Sequence, residues 1–535
     1  MHDNTSKIPT SNSEKFVLAI DFGSGGHKVA IVADSGEVIA SADESVTTHL
    51  LPHGGAEQDP NEWWQGAKRA VKKVIRNSNI SPEDIVAVAC DSQWSVVVPV
   101  DAHGEPLMQA VHWLDHRGGP HNRKISGGFP RVHGYGFLKL LKWIKLAGFP
   151  PTDSGVDSLG HVLFIKNERP DIYQKTFKFL EPMDYLTARL TGKITATQKT
   201  MAPFIIVDNR QWGAREYSDE LLGLAGLEKE KFPELIPNDG IVGPLRPGVA
   251  QELKLHPSTQ VIAGISDSNA SVIGSGAVGD YETIIYIGTS QYMTCHVPFK
   301  KTDINNFMTS IPSPLKNKYY LFGEQLTGGK CVEFFLKNIV YPDDEFNTGQ
   351  KPEDAYARFY TIASQSPAGS DGVVFLPWLN GSGVPKENPN ARGGFINLSL
   401  NTTRSHLTRA IMEGLAYNNR WTREGAEKFI GRKIESFRFS GGGALSEVFS
   451  QIHADVLDVP IHQVNDPLNT TVRGTALLAL VSLGYRSLED IASLVKIKKV
   501  FEPDESNRAV YDKLYTQYLE LFKKNKKVFA ALNDH

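Results

Sequence analysis

The stretch FVLAIDFGSGGHKVAIVADSGEVIA, residues 16–40, ends an apolar run on Asp21 and turns at once through Gly23, Ser24, Gly25 and Gly26 into a second run that opens at Lys28. The same grammar returns far downstream in YETIIYIGTSQYMTCHV, where Gly288, Thr289 and Ser290 separate two apolar runs. A strand, a glycine-and-hydroxyl turn and a second strand, met twice, imply two similar domains built on related sheets. At 535 residues the chain is also too long for one ordinary core. The boundary is expected near residues 278–280, just after NASVIGSGAVGD, giving domains over 14–278 and 279–535.

Local signals place the elements around these turns. Residues 16–22, 28–33 and 37–46 are rich in Val, Ile and Ala and read as an antiparallel meander. In EQDPNEWWQGAKRAVKKVIRNSN, Asp59 is the expected N-cap, Pro60 the first helical residue, and Glu62 completes a start like a capping box. Trp63, Ala67, Ala70, Val71 and Val74 share one face of a helix of about five turns. SPEDIVAVACDSQ is a further strand that runs into polar residues at its C-terminal end, where open α/β sheets place ligands. A helix is expected in RSHLTRAIMEGLAYNNRWTREGAEKF and an amphipathic segment at the C-terminus.

The turns carry the chemistry. A strand that ends in Gly and Ser or Thr exposes backbone N–H groups and a hydroxyl without a bulky side chain in the way, and such concave clusters bind phosphate oxygens. One at Gly23 and Ser24, with Lys28 following, and one at Gly288, Thr289 and Ser290 would suit a nucleotide triphosphate held between two domains. Asp21 beside the first turn can hold the water shell of Mg²⁺, which takes only one or two protein carboxylates. The plain alternative for either turn alone is a hairpin that needs Gly for positive φ; their pairing along the chain favours the ligand reading. A third turn, Gly441, Gly442 and Gly443, precedes a helix from about Ser446 and suits a flat adenosine, or merely close packing of helix on strand. Neither G-x-G-x-x-G in this turn nor a P-loop anywhere is present.

An acceptor hydroxyl must lose its proton, and a positioned carboxylate is the usual means. QVIAGISDSNASVIGSG offers Asp267 at the start of a small-residue helix, with room above it left by Ser268, Ala270 and Ser271; an N-cap is the plain alternative. DSQWSVVV and VHWLDHRG add Gln93, Trp94, Ser95, Trp113, Asp115 and Arg117, polar groups beside Trp as in a polyol or sugar pocket, or a buried Trp with an ion pair. A net charge of -3 without a basic block argues against nucleic acid. Cys90, Cys295 and Cys331 form no C-x-x-C pair, which speaks against disulfides or zinc and for a reducing cytoplasm. The polar start MHDNTSKIPTSNSEK has no signal-peptide core, and apolar runs fall short of a membrane span.

Taken in order, DFGSGGHK, GGAEQDPNEWW, WLDHR, EPMDYLTARLTG, AGISDSNA, IGTSQ, LPWLNGSGVP, LTRAIMEGLAYN and SGGGALSEVFSQIHADVLDVPI make the chain resemble the FGGY-family carbohydrate kinases, in their xylulokinase-like branch, from Phe16 to about Gly484. The resemblance implies an α/β fold of two ribonuclease H-like domains of the actin-like ATPase superfamily. ATP and a sugar or polyol, most plausibly a ketopentose such as xylulose, would lie in the cleft between them. It also implies Asp21 for Mg²⁺, Asp267 as general base, phosphate turns at Gly23 and Gly288, and an adenosine turn at 441–443; a homodimer is among the assemblies it allows. Gln93, Trp94, Ser95, Asp115 and Ser268 would face the acceptor. Trp94 and Ser95 stand where that branch usually carries Met-His, LNGSGVP where a Gly-Glu-Arg-x-Pro-like stretch is usual, and Asn397 where glycine is common. These departures point to a shallower pocket or to another ketose or polyol. A non-catalytic sugar or nucleotide sensor is the competing class, disfavoured because both Asp21 and Asp267 are kept. Asp267→Asn is expected to abolish transfer while nucleotide binding persists, which calorimetric titration and ADP release read separately.

Overall fold

The computed structural model describes residues 14–346 and 350–533. Most of the expected polar start falls on residues 1–13, outside them. The meander forms as β1 (Phe16–Gly23), β2 (Gly26–Ala33) and β3 (Val38–Ser45), each antiparallel to the next. Helix α1 (Pro60–Ser78) follows, capped by the Asp59 carboxylate accepting from the Asn61 N–H. Glu62 does not close a capping box: it accepts from Thr47 Oγ1 at 3.5 Å, drawn aside by that hydroxyl. β4 (Ile85–Ser92) runs parallel beside β1. With β5 (Ile241–Pro244), β6 (Gln260–Ile262) and β7 (Ile265–Ser266) they make a seven-stranded sheet in the order β5-β6-β4-β1-β2-β3, β7 pairing with β4. Helix α2 (Asp267–Gly274) leaves directly from β7.

The second sheet repeats this core. β8 (Thr283–Ile287) turns antiparallel into β9 (Gln291–Val297), then β10 (Thr302–Asp303), β11 (Met308–Pro312) and β12 (Tyr319–Gln325). Helices α3 (Gly329–Phe335) and α4 (Arg404–Ile430), β13 (Phe437–Ser440), α5 (Glu447–Leu457), β14 (Ile461–Val464), α6 (Thr470–Ser482), β15 (Ile497–Phe501) and α7 (Arg508–Asn533) complete it. Its eight strands run β10-β11-β12-β9-β8-β13-β14-β15. In each sheet a central strand (β1, β8) has its hairpin mate antiparallel on one side and a parallel strand (β4, β13) on the other. Both central strands thus end, with their glycine-and-hydroxyl turns, on the same kind of sheet edge.

The two sheets are joined by α2 and α6. Helix α6 lies on β1 and β4 of the first sheet, and α2 reaches β8 and β9 of the second. One apolar cluster accordingly runs through Val17 and Ala19, Ala270 and Val272, Ile284 and Tyr292, and Val472 and Ala476. The helices approach so closely that a Cβ on Gly274 would stand 1.8 Å from the Thr470 carbonyl oxygen, and one on Gly474 would stand 1.8 Å from that of Ala270. Away from this crossing, the far end of the cleft is bridged as well: Trp212 Nε1 donates to the Ser313 carbonyl at 2.7 Å, Tyr319 OH to that of Arg210 at 3.0 Å and Lys300 Nζ to that of Ile144 at 2.6 Å. Asn397 takes the left-handed backbone at φ 69° and donates its amide to the Gly372 carbonyl. Among the described residues no helix is long and apolar enough to cross a membrane. Gly474→Ala is expected to lower the Tm sharply, because backbone must move to admit the methyl; Gly223→Ala, on an exposed helix face with nothing within 4 Å of its Cβ, should leave the Tm unchanged or raise it.

Candidate active site

β1 and β4 end side by side on Asp21 and Asp91, which are register partners. Thr471 Oγ1, from the first turn of α6, donates to Asp21 Oδ2 at 2.8 Å, and Thr475 Oγ1 donates to Asp91 Oδ2 at 2.6 Å. Burial raises the pKa of Asp21 and holds that of Asp91 well above the usual carboxylate range, the neighbouring Asp21 charge adding to the latter. Beyond Asp21 the chain turns through Ser24 and Gly25. None of Gly23, Gly25 and Gly26 takes positive φ. Gly26 is instead required by the approach of β3, since its Cβ would meet the Glu44 carbonyl at 2.5 Å, while the space over Gly25 is open. The glycines serve close approach and access, not a left-handed turn.

A cavity of about 440 Å³ opens from Asp21, Gly23 and Ser24 across to Thr289 and Ser290 of the second turn. That turn is anchored from behind by the start of α3: the Gly329 N–H donates to the Gly288 carbonyl at 2.8 Å and the Gly328 N–H to that of Thr289 at 3.1 Å. Gly328 allows this contact, its Cβ position lying 2.4 Å from the Ser290 oxygen. Asp267, the first residue of α2, lines the same cavity, as do Ser268 and Glu324. Its Oδ1 accepts from the Ser268 N–H at 2.6 Å. Burial, then the charges of Asp21 and Glu324, push the Asp267 pKa up to about 7, while the Ser268 N–H and the Lys199 charge act in the lowering direction. Burial likewise raises Glu324 to about 7. Tyr286 and Tyr292 stack at 4.8 Å along one wall, Tyr292 OH donating to Ser271 Oγ on α2.

Gln93, Trp94 and Ser95 line the other end. Gln93 is held in a directed chain. The Leu114 N–H donates to His112 Nδ1, so His112 Nε2 carries the proton and donates to Gln93 Oε1 at 2.9 Å. Gln93 Nε2 donates to Gln58 Oε1 at 2.8 Å, and Gln58 Nε2 donates to the Ser24 carbonyl at 2.9 Å. Burial lowers the His112 pKa to about 3, which keeps the ring neutral in this chain. One amide hydrogen of Gln93 remains for a ligand. Trp94 meets Phe322 of β12 edge-on at 6.4 Å, and the ammonium of buried Lys199 stands 3.7 Å from the centre of its indole. Lys199 Nζ also donates to Ser266 Oγ at 3.3 Å, and burial lowers its pKa to about 7. Ser95 adopts φ 62° and its carbonyl faces His161 Nε2.

Of the residues the sequence nominates, the cavity collects Asp21, Gly23, Ser24, Gln93, Trp94, Ser95, Trp113, Asp267, Ser268, Thr289 and Ser290. Lys28, the register partner of Asp21 on β2, is outside the lining, its amine donating to the Leu468 carbonyl at 2.9 Å. Asp115 is fully buried behind the wall, accepting from the Ala56 N–H at 2.8 Å and from the Arg117 guanidinium, which also pairs with Glu57. Gly288 is outside the lining, beneath Tyr286. Gly441, Gly442 and Gly443 adjoin the second turn through Ile287: a Cβ on Gly441, at φ 82°, would stand 2.6 Å from the Ile287 oxygen, whereas one on Gly442 would meet that oxygen at an ordinary contact distance of 3.9 Å. Ser446 caps α5 by accepting from the Phe449 N–H. Sequence reasoning passed over Asp91, Glu324, Thr471 and Lys199. Asp91 and Glu324 share the signal that singled out Asp21, a carboxylate at or near the end of an apolar strand. Thr471 and Lys199 carry no local signal, since their place depends on distant segments.

Two turns facing each other across an interdomain cavity, with a carboxylate poised near neutrality between them, define a two-domain phosphotransferase acting on an alcohol group. The chain belongs to the FGGY family of carbohydrate kinases: it matches that family's N-terminal domain over residues 16–274 and its C-terminal domain over residues 284–483. It is 27% identical over 529 residues to a xylulose kinase of Staphylococcus epidermidis, covering 97% of this chain and 99% of that one. It is 28% identical over 509 residues to a glycerol kinase of Saccharolobus islandicus, covering 93% and 95%. The fold matches the crystal structure of gluconate kinase from Lactobacillus acidophilus with a TM-score of 0.83 at 22% identity, over 97% of this chain and all of the other. The protein is thus an ATP-dependent carbohydrate kinase with ribonuclease H-like domains. A carboxylate that serves as base must be ionised, so if Asp267 is that group, with its pKa pushed up to about 7, kcat/KM should rise with pH through about 7. Glu324→Gln removes a charge that raises the Asp267 pKa and should move that limb to lower pH, measured with acceptor well below its KM.

Proposed function

We propose that the protein phosphorylates a ketopentose such as D-xylulose, with Asp267 as the general base and the acceptor standing between Asp267 and the Gln93–Ser95 segment. The observation that carries this reading is Asp267 itself, a carboxylate that opens into the cavity from the start of a helix and carries a pKa of about 7. The acceptor hydroxyl gives its proton to an Asp267 carboxylate oxygen as its oxygen forms a bond to the γ-phosphorus and the bond from that phosphorus to the bridging oxygen of ADP breaks. Ser24, Thr289 and Ser290 hold phosphate oxygens through hydroxyls and backbone N–H groups. The adenosine extends past Ile287 toward Gly442. Trp94 offers a ring face to sugar C–H groups, and the free amide hydrogen of Gln93 meets a hydroxyl. Enclosure by both domains excludes water, so that the sugar and not solvent receives the phosphoryl group.

The residues fit Mg²⁺. Asp21 Oδ1 is buried without a donor and is a hard oxygen ligand at the phosphate end of the cavity. Among the described residues no group of three or more His, Cys, Asp or Glu is arranged as a metal cage, which suits an ion that keeps waters and takes few carboxylates. When bound, the ion neutralises charge on the β- and γ-phosphate oxygens.

The xylulose kinase among its relatives supports a ketopentose; Trp94 and Ser95 support a departure in which face of the sugar is read. ADP release from MgATP across ketopentoses, aldopentoses, pentitols, tetritols, gluconate and glycerol tests the reading. One ketopentose should give turnover at least about tenfold above the rest in kcat/KM, as expected when buried polar groups choose among hydroxyls, and Asp267→Ala should abolish it. Preference for glycerol or gluconate would replace the acceptor assignment and leave the base; turnover in Asp267→Ala would remove the base.

A further inference from the structure

Asp21 and Asp91 leave the same face of two neighbouring parallel strands as register partners. Each has its Oδ2 held by a threonine hydroxyl, from Thr471 and Thr475, one turn apart on α6. A single helix, itself locked by the Gly474 crossing, therefore aims both carboxylates. The remaining oxygen of each, Oδ1, is buried with no hydrogen-bond donor. Asp91 is wholly buried. The hydrogen bonds of both carboxylates come from threonine hydroxyls, and the Lys28 amine, whose charge acts on Asp21 from a distance, is turned to the Leu468 carbonyl. The two carboxyl groups stand within side-chain hydrogen-bond reach of each other; when both are charged, their oxygens, stripped of water, repel, and a proton or a cation between them relieves that cost. Paired hard oxygens suit Mg²⁺ or Mn²⁺ over softer ions.

We propose that Asp91 is a second carboxylate ligand which, with Asp21, holds one divalent cation at the end of β1 and β4 before nucleotide binds. The inference rests on the reading of Asp21 as the metal carboxylate. It makes the site richer in charge than one carboxylate with waters, so the metal is held by the protein and not only by the phosphates.

Mn²⁺ titrated into the nucleotide-free protein, with free Mn²⁺ followed by electron paramagnetic resonance, tests it. A single site per chain is expected, with the dissociation constant raised at least about tenfold in Asp91→Asn, the scale on which loss of groups around a metal is felt. Thr475→Val removes only the hydroxyl that aims Asp91; it should weaken Mn²⁺ less, and it carries the test if Asp91→Asn does not fold. Unchanged affinity in the folded variant overturns the inference, as does absence of Mn²⁺ binding without nucleotide in the parent protein, where the two carboxyls would instead share a proton. Asp21→Asn separates the readings: if it loses Mn²⁺ and Asp91→Asn does not, only the role of Asp91 falls; if neither loses it, the assignment of Asp21 falls too.

Discussion

The crossing of α2 and α6 at Gly274 and Gly474 is the contact on which the rest of the molecule depends. With any side chain at either position the helix axes would have to separate, because the partner carbonyls lie inside the volume of a methyl group. The crossing fixes more than packing. Helix α2 begins with Asp267 and α6 carries Thr471 and Thr475, so one contact sets Asp267 and both strand-end carboxylates relative to each other. It also places each helix against the opposite sheet, which makes the interface between domains an apolar core in its own right. A cleft between two domains is usually free to move unless its interface is large and apolar; here the apolar part lies at the crossing, and the polar bridges from Trp212, Tyr319 and Lys300 lie at the far rim.

Charge is the second constraint. Asp21, Asp267 and Glu324 line one cavity, Asp91 is buried beside Asp21 on the neighbouring strand, and burial raises all four. Four carboxylates so close would be a liability in a structural core. In a phosphotransferase cleft they are consistent with function, because phosphoryl transfer calls for charge neutralisation and a general base needs a pKa near the working pH. Lys199, buried between Trp94 and Ser266, is the counterweight on the acceptor side, and its contacts tie the indole to the segment that bears Asp267. Trp94 is thereby coupled to the start of α2 through Lys199 and Ser266.

Much of this was legible in the chain. The repeated strand and turn units predicted two sheets, and both have the same strand relations about β1 and β8. Asp59 and Pro60 marked α1 correctly because an N-cap and its first turn are local. The capping box failed for a nonlocal reason, since Thr47 offered Glu62 another partner. The glycines of the first turn were rightly noticed and their reason was not visible: Gly26 answers to Glu44 on β3, a neighbour that only the folded sheet supplies. Asp115 looked like an acceptor residue beside Trp113, yet its own next turn holds Arg117, and the pair buries itself.

What the sequence determined by itself is therefore whatever depends on neighbours along the chain: the periodicity of strands and helices, the small residues that open a turn, and the family that their order defines. Tertiary structure alone decided which polar groups meet. Asp21 finds Thr471, Asp91 finds Thr475, and Lys199 finds Trp94 and Ser266 across hundreds or scores of residues. The physical reason is that a hydrogen bond or a raised pKa belongs to a place, its partners and its loss of water, and a place exists only once two sheets have closed on a shared pair of helices.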